Sequence, residues 1–390
     1  MSEPIDPRWR PETRLVRAGR GGPGEHGPVN PPIQRGSTVL LPSMAALHGE
    51  GKTYGLDGFG VHEALSRALA DLVAADDAVL TPSGLAACTV ALLTCAGAGD
   101  EVLVVDSVYA PTRRFCDGML ARCGVTTRYY DPRAGAAIAD LMTARTRVLF
   151  MESPGSLTMD IQDVPALTAA ARTRGVTTII DDTWSAGVLF NPFDHGVDIS
   201  VQALTKYQAG HADVLLGAVL ARDPAMSARV RATVKQLGVG CGAPEDAYLA
   251  LRGLRTMTLR LERQAASALR VAEWLAARPE VARVLHPALA SHPDHALFAR
   301  DFTGAAGVFA VVLNAVPDRK LAAMLEGLRL FGLGFSWGGY ESLVVTCVDQ
   351  CKRKVAPWRE PGPLLRLSIG LEHPDDLIAD LEDGFTRLAH

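Results

Sequence analysis

Lys206 closes the segment Val197-Asp198-Ile199-Ser200-Val201-Gln202-Ala203-Leu204-Thr205-Lys206, whose first half is apolar and β-branched and predicts a buried strand. A lysine delivered to the end of a core strand has its ammonium drawn out of water, so it is paired, depressed in pKa or consumed as an imine. A solvent-facing lysine just past the strand is the plainer alternative, and the segment by itself leaves both open. Asp181 and Asp182 end another apolar run, residues 176–180, which puts at least one carboxylate at a sheet edge. Capping of Thr183 would explain that pair equally well. Ser83-Gly84-Leu85 follows a short strand and opens a helix, and backbone N–H groups at such a terminus can hold a phosphate, although the same text is a common N-cap. Arg366 sits inside the apolar run Leu364-Leu365-Arg366-Leu367-Ser368-Ile369. A guanidinium there needs an acid, either an internal carboxylate or a substrate's, held bidentately. Tyr109, after Val104-Val105-Asp106-Ser107, lies at a further strand end, where packing is its ordinary use.

Taken together, a phosphate cradle, a strand-end acid, a stacking aromatic, a buried Thr-Lys pair and an arginine for a carboxylate are what pyridoxal phosphate chemistry on amino acids requires. The glycines at 238, 240 and 242 do not make a dinucleotide fingerprint, because they fall between helices rather than after a strand.

The elements that must position these residues follow from the remaining text. With 390 residues, 48% hydrophobic and 21% charged, the chain can bury a large core, in two domains with appendages. A net charge of −4 supplies no basic field for nucleic acid. No stretch is long and apolar enough to span a bilayer, and no apolar segment follows the N-terminal charges, so a cytoplasmic location is expected. The seven cysteines (88, 95, 116, 123, 241, 347, 351) are odd in number and lie mostly in apolar or helical text, which predicts reduced thiols. Cys347 and Cys351 have the spacing of one helix face, yet no second Cys/His pair completes a metal site, and no metal is expected.

Residues 1 to about 53 are rich in Pro, Gly and Arg and predict an arm lying on another surface, a second copy of the chain being the simplest; disorder is the alternative. Regular patterning then begins. Helices are predicted over 62–75, from 84 to about 96, over 111–122 and over 163–174. Strands are predicted at 77–80, 101–105, 125–130, 147–151, 176–180, 197–204 and 214–220. This alternation implies a mostly parallel sheet covered by helices, with ligands beyond the carboxyl ends of its strands. A long helical stretch over 245–278 leads to a smaller α+β unit, with strands at 281–286, 306–313, 343–347 and 364–369 and helices at 318–329 and 374–388.

Five segments carry a resemblance: Glu152-Ser153-Pro154-Gly155-Ser156-Leu157-Thr158, Asp181-Asp182-Thr183-Trp184-Ser185-Ala186-Gly187, Ala203-Leu204-Thr205-Lys206-Tyr207, Ser336-Trp337-Gly338-Gly339-Tyr340-Glu341-Ser342 and Leu365-Arg366-Leu367-Ser368-Ile369-Gly370. On these the chain resembles the Cys/Met-metabolism family of pyridoxal-phosphate enzymes, and within it the carbon–sulfur beta-lyases. The likeness runs almost end to end, from Pro28-Val29-Asn30-Pro31-Pro32 to the last helix. It implies fold type I (aspartate-aminotransferase-like α/β), with an N-terminal arm (1–60), a cofactor-binding large α/β domain (61–250) and a C-terminal α+β domain (251–390). It also implies roles. Lys206 would carry the cofactor and move the Cα proton; Asp181 would keep the pyridine nitrogen protonated; Tyr109 would stack on the ring and assist proton movement. Gly84, Leu85 and Thr205 would hold the phosphate, while Arg366, Ser336 and Trp337 would bind substrate. Tyr54 would cross to a neighbouring subunit's phosphate and substrate, making the unit at least a dimer, and the family is usually tetrameric.

The implied reaction is α,β-elimination from L-cystathionine or a related cysteine S-conjugate, giving a thiol, pyruvate and ammonia. A gamma-acting relative, a lyase for a less usual cysteine conjugate and a silent oligomeric scaffold are the other readings. The chain departs from the family pattern at Leu56 and Asp57, where Tyr-x-Arg-x-Gly is usual, at Phe59, at Asp182 in place of Asn and at Ala203 in place of Ser.

Overall fold

Apolar runs without polar alternation need both faces covered, and here they become the central strands of a large sheet. The computed structural model describes residues 6, 8–20, 28–49, 51–240, 242–347, 350–360 and 362–389; Cys241 lies outside the described residues. The strands β1 (Asp77–Thr81), β2 (Glu101–Val105), β3 (Thr126–Tyr130), β4 (Thr146–Glu152), β5 (Thr177–Asp181), β6 (Ile199–Gln202) and β7 (Gly217–Ala221) lie in the order β1-β7-β6-β5-β4-β2-β3. From β3 through β6 every pairing is parallel, whereas β7 runs antiparallel to both β6 and β1. Every residue of β2, β6 and β7 is buried, including the polar Glu101, Ser200 and Gln202, as central strands covered on both faces require. The mostly parallel sheet expected from the alternation is therefore present.

Two boundaries bear on the site. The strand expected over 197–204 stops at Gln202, and the strand expected from 214 starts at Gly217. Lys206 therefore sits in a turn rather than on the strand, with its N–H donating to the Ala203 carbonyl and its own carbonyl accepting from Gly210 N. Helices Gly60–Val73, Gly84–Cys95 and Val164–Thr173 match the periodic text within two residues. The stretch 111–122 divides into an α-helix, Ala110–Phe115, and a π-helical turn, Cys116–Leu120. Helix Pro224–Leu237 is the one that the reading of the glycines as lying between helices implies without bounds; Asp223 caps its start through the N–H groups of Ala225 and Met226. Gly238 ends that helix at φ 67°, a conformation that favours glycine, so the run of glycines is a helix stop.

The second sheet holds β8 (Val281–Leu285), β9 (Val308–Leu313), β10 (Gly332–Leu333), β11 (Leu343–Thr346) and β12 (Leu364–Ser368) in the order β10-β11-β12-β9-β8. It is antiparallel except between β10 and β11. Helices Met257–Ala276, Asp318–Glu326 and Pro374–Ala389 accompany it, and Leu275, Val311, Leu325, Leu367, Leu381 and Phe385 are in its core. The single helix expected over 245–278 is two, Pro244–Leu254 and Met257–Ala276. Gly253 causes the break: its carbonyl accepts from Thr256 N and from the buried Arg260 guanidinium at 2.7 Å instead of from the next turn. Cys347 follows β11, and its carbonyl accepts from the N–H groups of Gln350 and Cys351.

Near the N-terminus, helix Pro11–Arg17 buries Leu15, and Ala18 beyond it is also buried in the main core. Farther on, Leu40 (93% exposed), Met44 and Leu47 show their apolar side chains to solvent.

Candidate functional site

The carboxyl ends of β1, β2, β4, β5 and β6 carry the predicted residues to one edge of the large sheet. β1 hands over to the helix Gly84–Cys95, where Ser83 Oγ accepts from Ala86 N at 3.1 Å. A side chain at Gly84 would place its Cβ 2.4 Å from that of Ala203, so glycine is required for the helix end to approach the turn before Lys206. Leu85 follows, 37% exposed. Thr205, expected to hold phosphate, exchanges hydrogen bonds with Leu216: its hydroxyl donates to the carbonyl at 3.2 Å and accepts from the N–H at 3.1 Å.

Asp181 and Asp182 part company. Asp181 Oδ1 accepts from the N–H and hydroxyl of Thr183 (3.1 and 2.6 Å), while Oδ2 meets only the Cys88 thiol, at 3.7 Å. Burial raises the Asp181 pKa, with the Thr183 and Cys88 hydrogen bonds and Lys206 pulling the other way. Asp182 is fully buried and turned into the core, where one oxygen accepts from Ser185 Oγ and the other has no partner. Burial pushes its pKa well above the usual carboxylate range. The strand-end acid at the site is thus Asp181.

One acid was missed as a site residue. Glu152 ends β4, is paired in register with Asp181, and its Oε2 accepts from Tyr109 N at 2.7 Å. Burial first and the Asp181 charge second raise its pKa well above normal. The available signal was an acidic residue directly after the apolar run 147–151. Tyr109 itself is 44% exposed, with its phenol pKa raised by burial and then by Asp181.

Lys206 Nζ donates to Ser336 Oγ at 2.7 Å and lies 5.3 Å from the centroid of the Trp337 ring. Burial lowers its pKa to about 8, the Arg366 charge adds to the fall, and Asp181 opposes it. Ser336 occupies φ 80°, which is costly for a residue with a Cβ. Its carbonyl accepts from Arg366 Nη2 at 2.9 Å. Arg366, on β12, has no carboxylate partner among the described residues, and its buried Nε has no acceptor at all. Of its two possible partners, the internal carboxylate is therefore absent among the described residues. Trp337 is braced edge-on by Tyr207, whose ring is fully buried.

Tyr54 stands apart from this cluster, 57% exposed and tied by an isolated bridge to Thr38. Leu56 packs against Gly240, Asp57 lies 3.8 Å from Lys235, and the Phe59 ring comes under Gly36. A cavity of about 680 Å³ also lies on this side, lined by Asp71, Asp76, Asp77, Arg67 and Arg231 rather than by the Lys206 cluster. Its opposite charges are mixed along an open groove, so volume does not mark it as the reaction site.

The cluster fits pyridoxal phosphate: a largely buried amine of lowered pKa, a carboxylate oxygen with only a thiol beside it, a helix N-terminus kept open by Gly84, and a guanidinium with no carboxylate among the described residues. A buried amine, an acid at the strand edge and a helix-end cradle on an α/β sheet define the class of fold type I pyridoxal-phosphate enzymes. The Cys/Met metabolism PLP-dependent enzyme family matches residues 12–386, and the chain belongs to it. It is 48% identical to a Rhizobium johnstonii protein named provisionally as a cystathionine beta-lyase, over 96% of this chain and 95% of that protein. It is 41% identical to the Escherichia coli K12 cystathionine beta-lyase MetC, over 97% and 98% of the two chains. Among solved structures, cystathionine gamma synthase from Xanthomonas oryzae pv. oryzae, in complex with aminoacrylate and cysteine, superposes with a TM-score of 0.90 at 30% identity, covering 98% and 99%. The protein is thus an enzyme that uses pyridoxal phosphate and acts on a small amino acid. Among the described residues no helix is long and apolar enough to cross a membrane.

Proposed function

We propose that the enzyme is a carbon–sulfur beta-lyase acting on L-cystathionine or a related cysteine S-conjugate. The observation that carries this reading is the confinement of Lys206 Nζ between Ser336 Oγ and the Trp337 ring. β-Elimination moves one proton, at Cα, and then releases the thiolate from Cβ. γ-Chemistry needs a further proton taken from Cβ, hence a base with a longer reach. An amine held by a serine and walled by a tryptophan suits the first task.

Bound pyridoxal phosphate supplies a sink for the electron pair left at Cα. This chain's residues do the rest. Asp181 Oδ2 would hold the cofactor's pyridine N–H, Tyr109 would stack on its ring, and the Gly84 and Leu85 N–H groups with Thr205 would take its phosphate. Thr205 must turn its hydroxyl away from the Leu216 carbonyl to do so. Arg366 and Ser336 orient the substrate α-carboxylate, Trp337 borders the base, and Lys206 moves the Cα proton. The Cβ–S bond breaks with its electron pair on sulfur, and water converts the released three-carbon enamine to pyruvate and ammonia.

The chain is further read as an arm (1–60), a large domain (61–250) and a C-terminal domain (251–390), assembled at least as a dimer and in the family manner as a tetramer. The exposed Leu40, Met44 and Tyr54 support an arm that meets a second copy, with Tyr54 reaching its neighbour's phosphate and substrate. An active monomer by light scattering, unaffected by Tyr54→Ala, would sink this part.

Product analysis tests the reaction. Pyruvate from L-cystathionine, together with a cofactor absorbance band lost in Lys206→Ala, is the expected result. Release of 2-oxobutanoate would replace the β-lyase reading with a γ-acting one, to which the likeness to a gamma synthase gives weight.

A further inference from the structure

Three consecutive cations, Lys352, Arg353 and Lys354, follow β11 on a loop that returns across the edge of the large sheet. Two of them are neutralised. Arg353 is buried against Asp160 at 2.5 Å, and Lys354 meets Asp117 at 3.0 Å. The loop backbone is held as well: Asp106 accepts from the N–H groups of Lys354, Val355 and Ala356, and from Arg113 at 2.7 Å. Lys352 is different. It is exposed, its ammonium has no partner among the described residues, and it lines a cavity shared with Tyr109, Ser156, Gln350 and Arg366. The nearby acids Asp106 and Asp160 are already engaged, so they do not compensate it. The cavity therefore presents two cations, Arg366 and Lys352, with no anion among the described residues assigned to them. One amino-acid head brings one α-carboxylate, which Arg366 takes.

We propose that Lys352 is a specificity-determining residue that binds a second carboxylate, carried by the sulfur-side group of the substrate. The inference rests on the beta-lyase reading and narrows its substrate class to cysteine S-conjugates whose departing thiol is itself an acid. The loop is pinned by Asp106 and Asp160 through the residues directly after Lys352, which holds the backbone carrying this cation beside the cavity that Arg366 also lines.

The test uses two conjugates of nearly equal shape, S-carboxymethyl-L-cysteine and its uncharged amide, S-carbamoylmethyl-L-cysteine. With the holoenzyme, kcat/KM for pyruvate release should favour the acid by about fivefold, the upper end for a solvent-accessible ion pair, with the difference lying in KM. Lys352→Gln should bring the ratio close to one, and Lys352→Arg should keep it. A ratio unchanged in Lys352→Gln, with pyruvate still formed from both compounds, overturns the proposal and leaves the lyase reading standing. Pyruvate from neither compound, nor from L-cystathionine, overturns the lyase reading. The dissociation constants of the two compounds, from quenching of tryptophan fluorescence, are then held to the same ratio, and equal values for wild type and Lys352→Gln overturn the role of Lys352.

Discussion

Two sets of carboxylates lie within this one sheet edge, and they are treated in opposite ways. Asp106 and Asp160 are saturated: the first by three amides and Arg113, the second by Arg353, Arg133 and the Thr158 hydroxyl. Asp181 and Glu152 are left with few donors and no salt-bridge partner among the described residues, and burial raises both pKa values. A saturated acid fastens the loop after β11 to the large sheet. An unsaturated one is a cost in the empty protein that only a ligand can offset, which is the mark of a functional group.

The largest effect separating the two sets should come from the base that faces them. Lys206→Ala should lower pyruvate formation by at least about a thousandfold, in the range of a lost general base that is also the nucleophile. Asp181→Asn should lower kcat/KM by roughly a hundredfold or more, as for a lost charge at a reacting centre. Its urea midpoint should stay level or rise, because a buried acid with few donors has been neutralised. Asp160→Ala should behave in reverse, losing about 3–5 kcal/mol of stability by urea unfolding because Arg353 is left buried and unpaired. If Asp181→Asn proved the more destabilising of the two, the contrast would be wrong.

The pH dependence sharpens the same point. The Lys206 pKa falls from 10.5 unfolded to about 8 folded. Between those values the unfolded chain binds the extra proton, so stability of the apo-protein should rise as pH climbs from about 8 toward 10.5. Below about 8 the full burden of the buried ammonium is present, and Lys206→Met should be more stable than wild type there. Uptake of pyridoxal phosphate by the apo-protein should quicken with pH and level off above about 8, since the neutral amine is the nucleophile. Stopped-flow absorbance would show a flat profile if the amine were not the titrating group. The smallest effect is expected at Glu152. A protonated carboxyl and an amide offer similar donors and acceptors, so Glu152→Gln should change stability by less than about 1 kcal/mol. A large loss on urea unfolding would mean that Glu152 is ionised in the folded chain.

Much of this was legible in the sequence because it depends on local rules. Uninterrupted apolar runs announce central strands, so β2, β4 and β5 and the acids that end β4 and β5 could be placed to within a residue. Lys206 was legible as a lysine displaced from water beside such a strand. The segments that failed were those where local signals compete with distant ones. Helix Met257–Ala276 was read through Arg255 because nothing in the text shows that the Gly253 carbonyl is taken by Arg260. The two aspartates after residue 180 were equivalent on paper, and only packing turned Asp182 into the core toward Ser185.

What the chain's sequence determined by itself is therefore the class: period-two and period-3.6 patterning imposes the mostly parallel sheet with its helices, and residue chemistry supplies an amine, an acid, an aromatic and an arginine at strand ends. What only the tertiary structure decided is which of these meet. The contact of Lys206 Nζ with Ser336 joins residues 130 positions apart, and the unsatisfied Nε of Arg366 and the charge of Lys352, unpaired among the described residues, are properties of their surroundings. The physical reason is that a group's pairing, and hence its pKa and function, is set by neighbours that long-range packing brings to it, which no local pattern encodes.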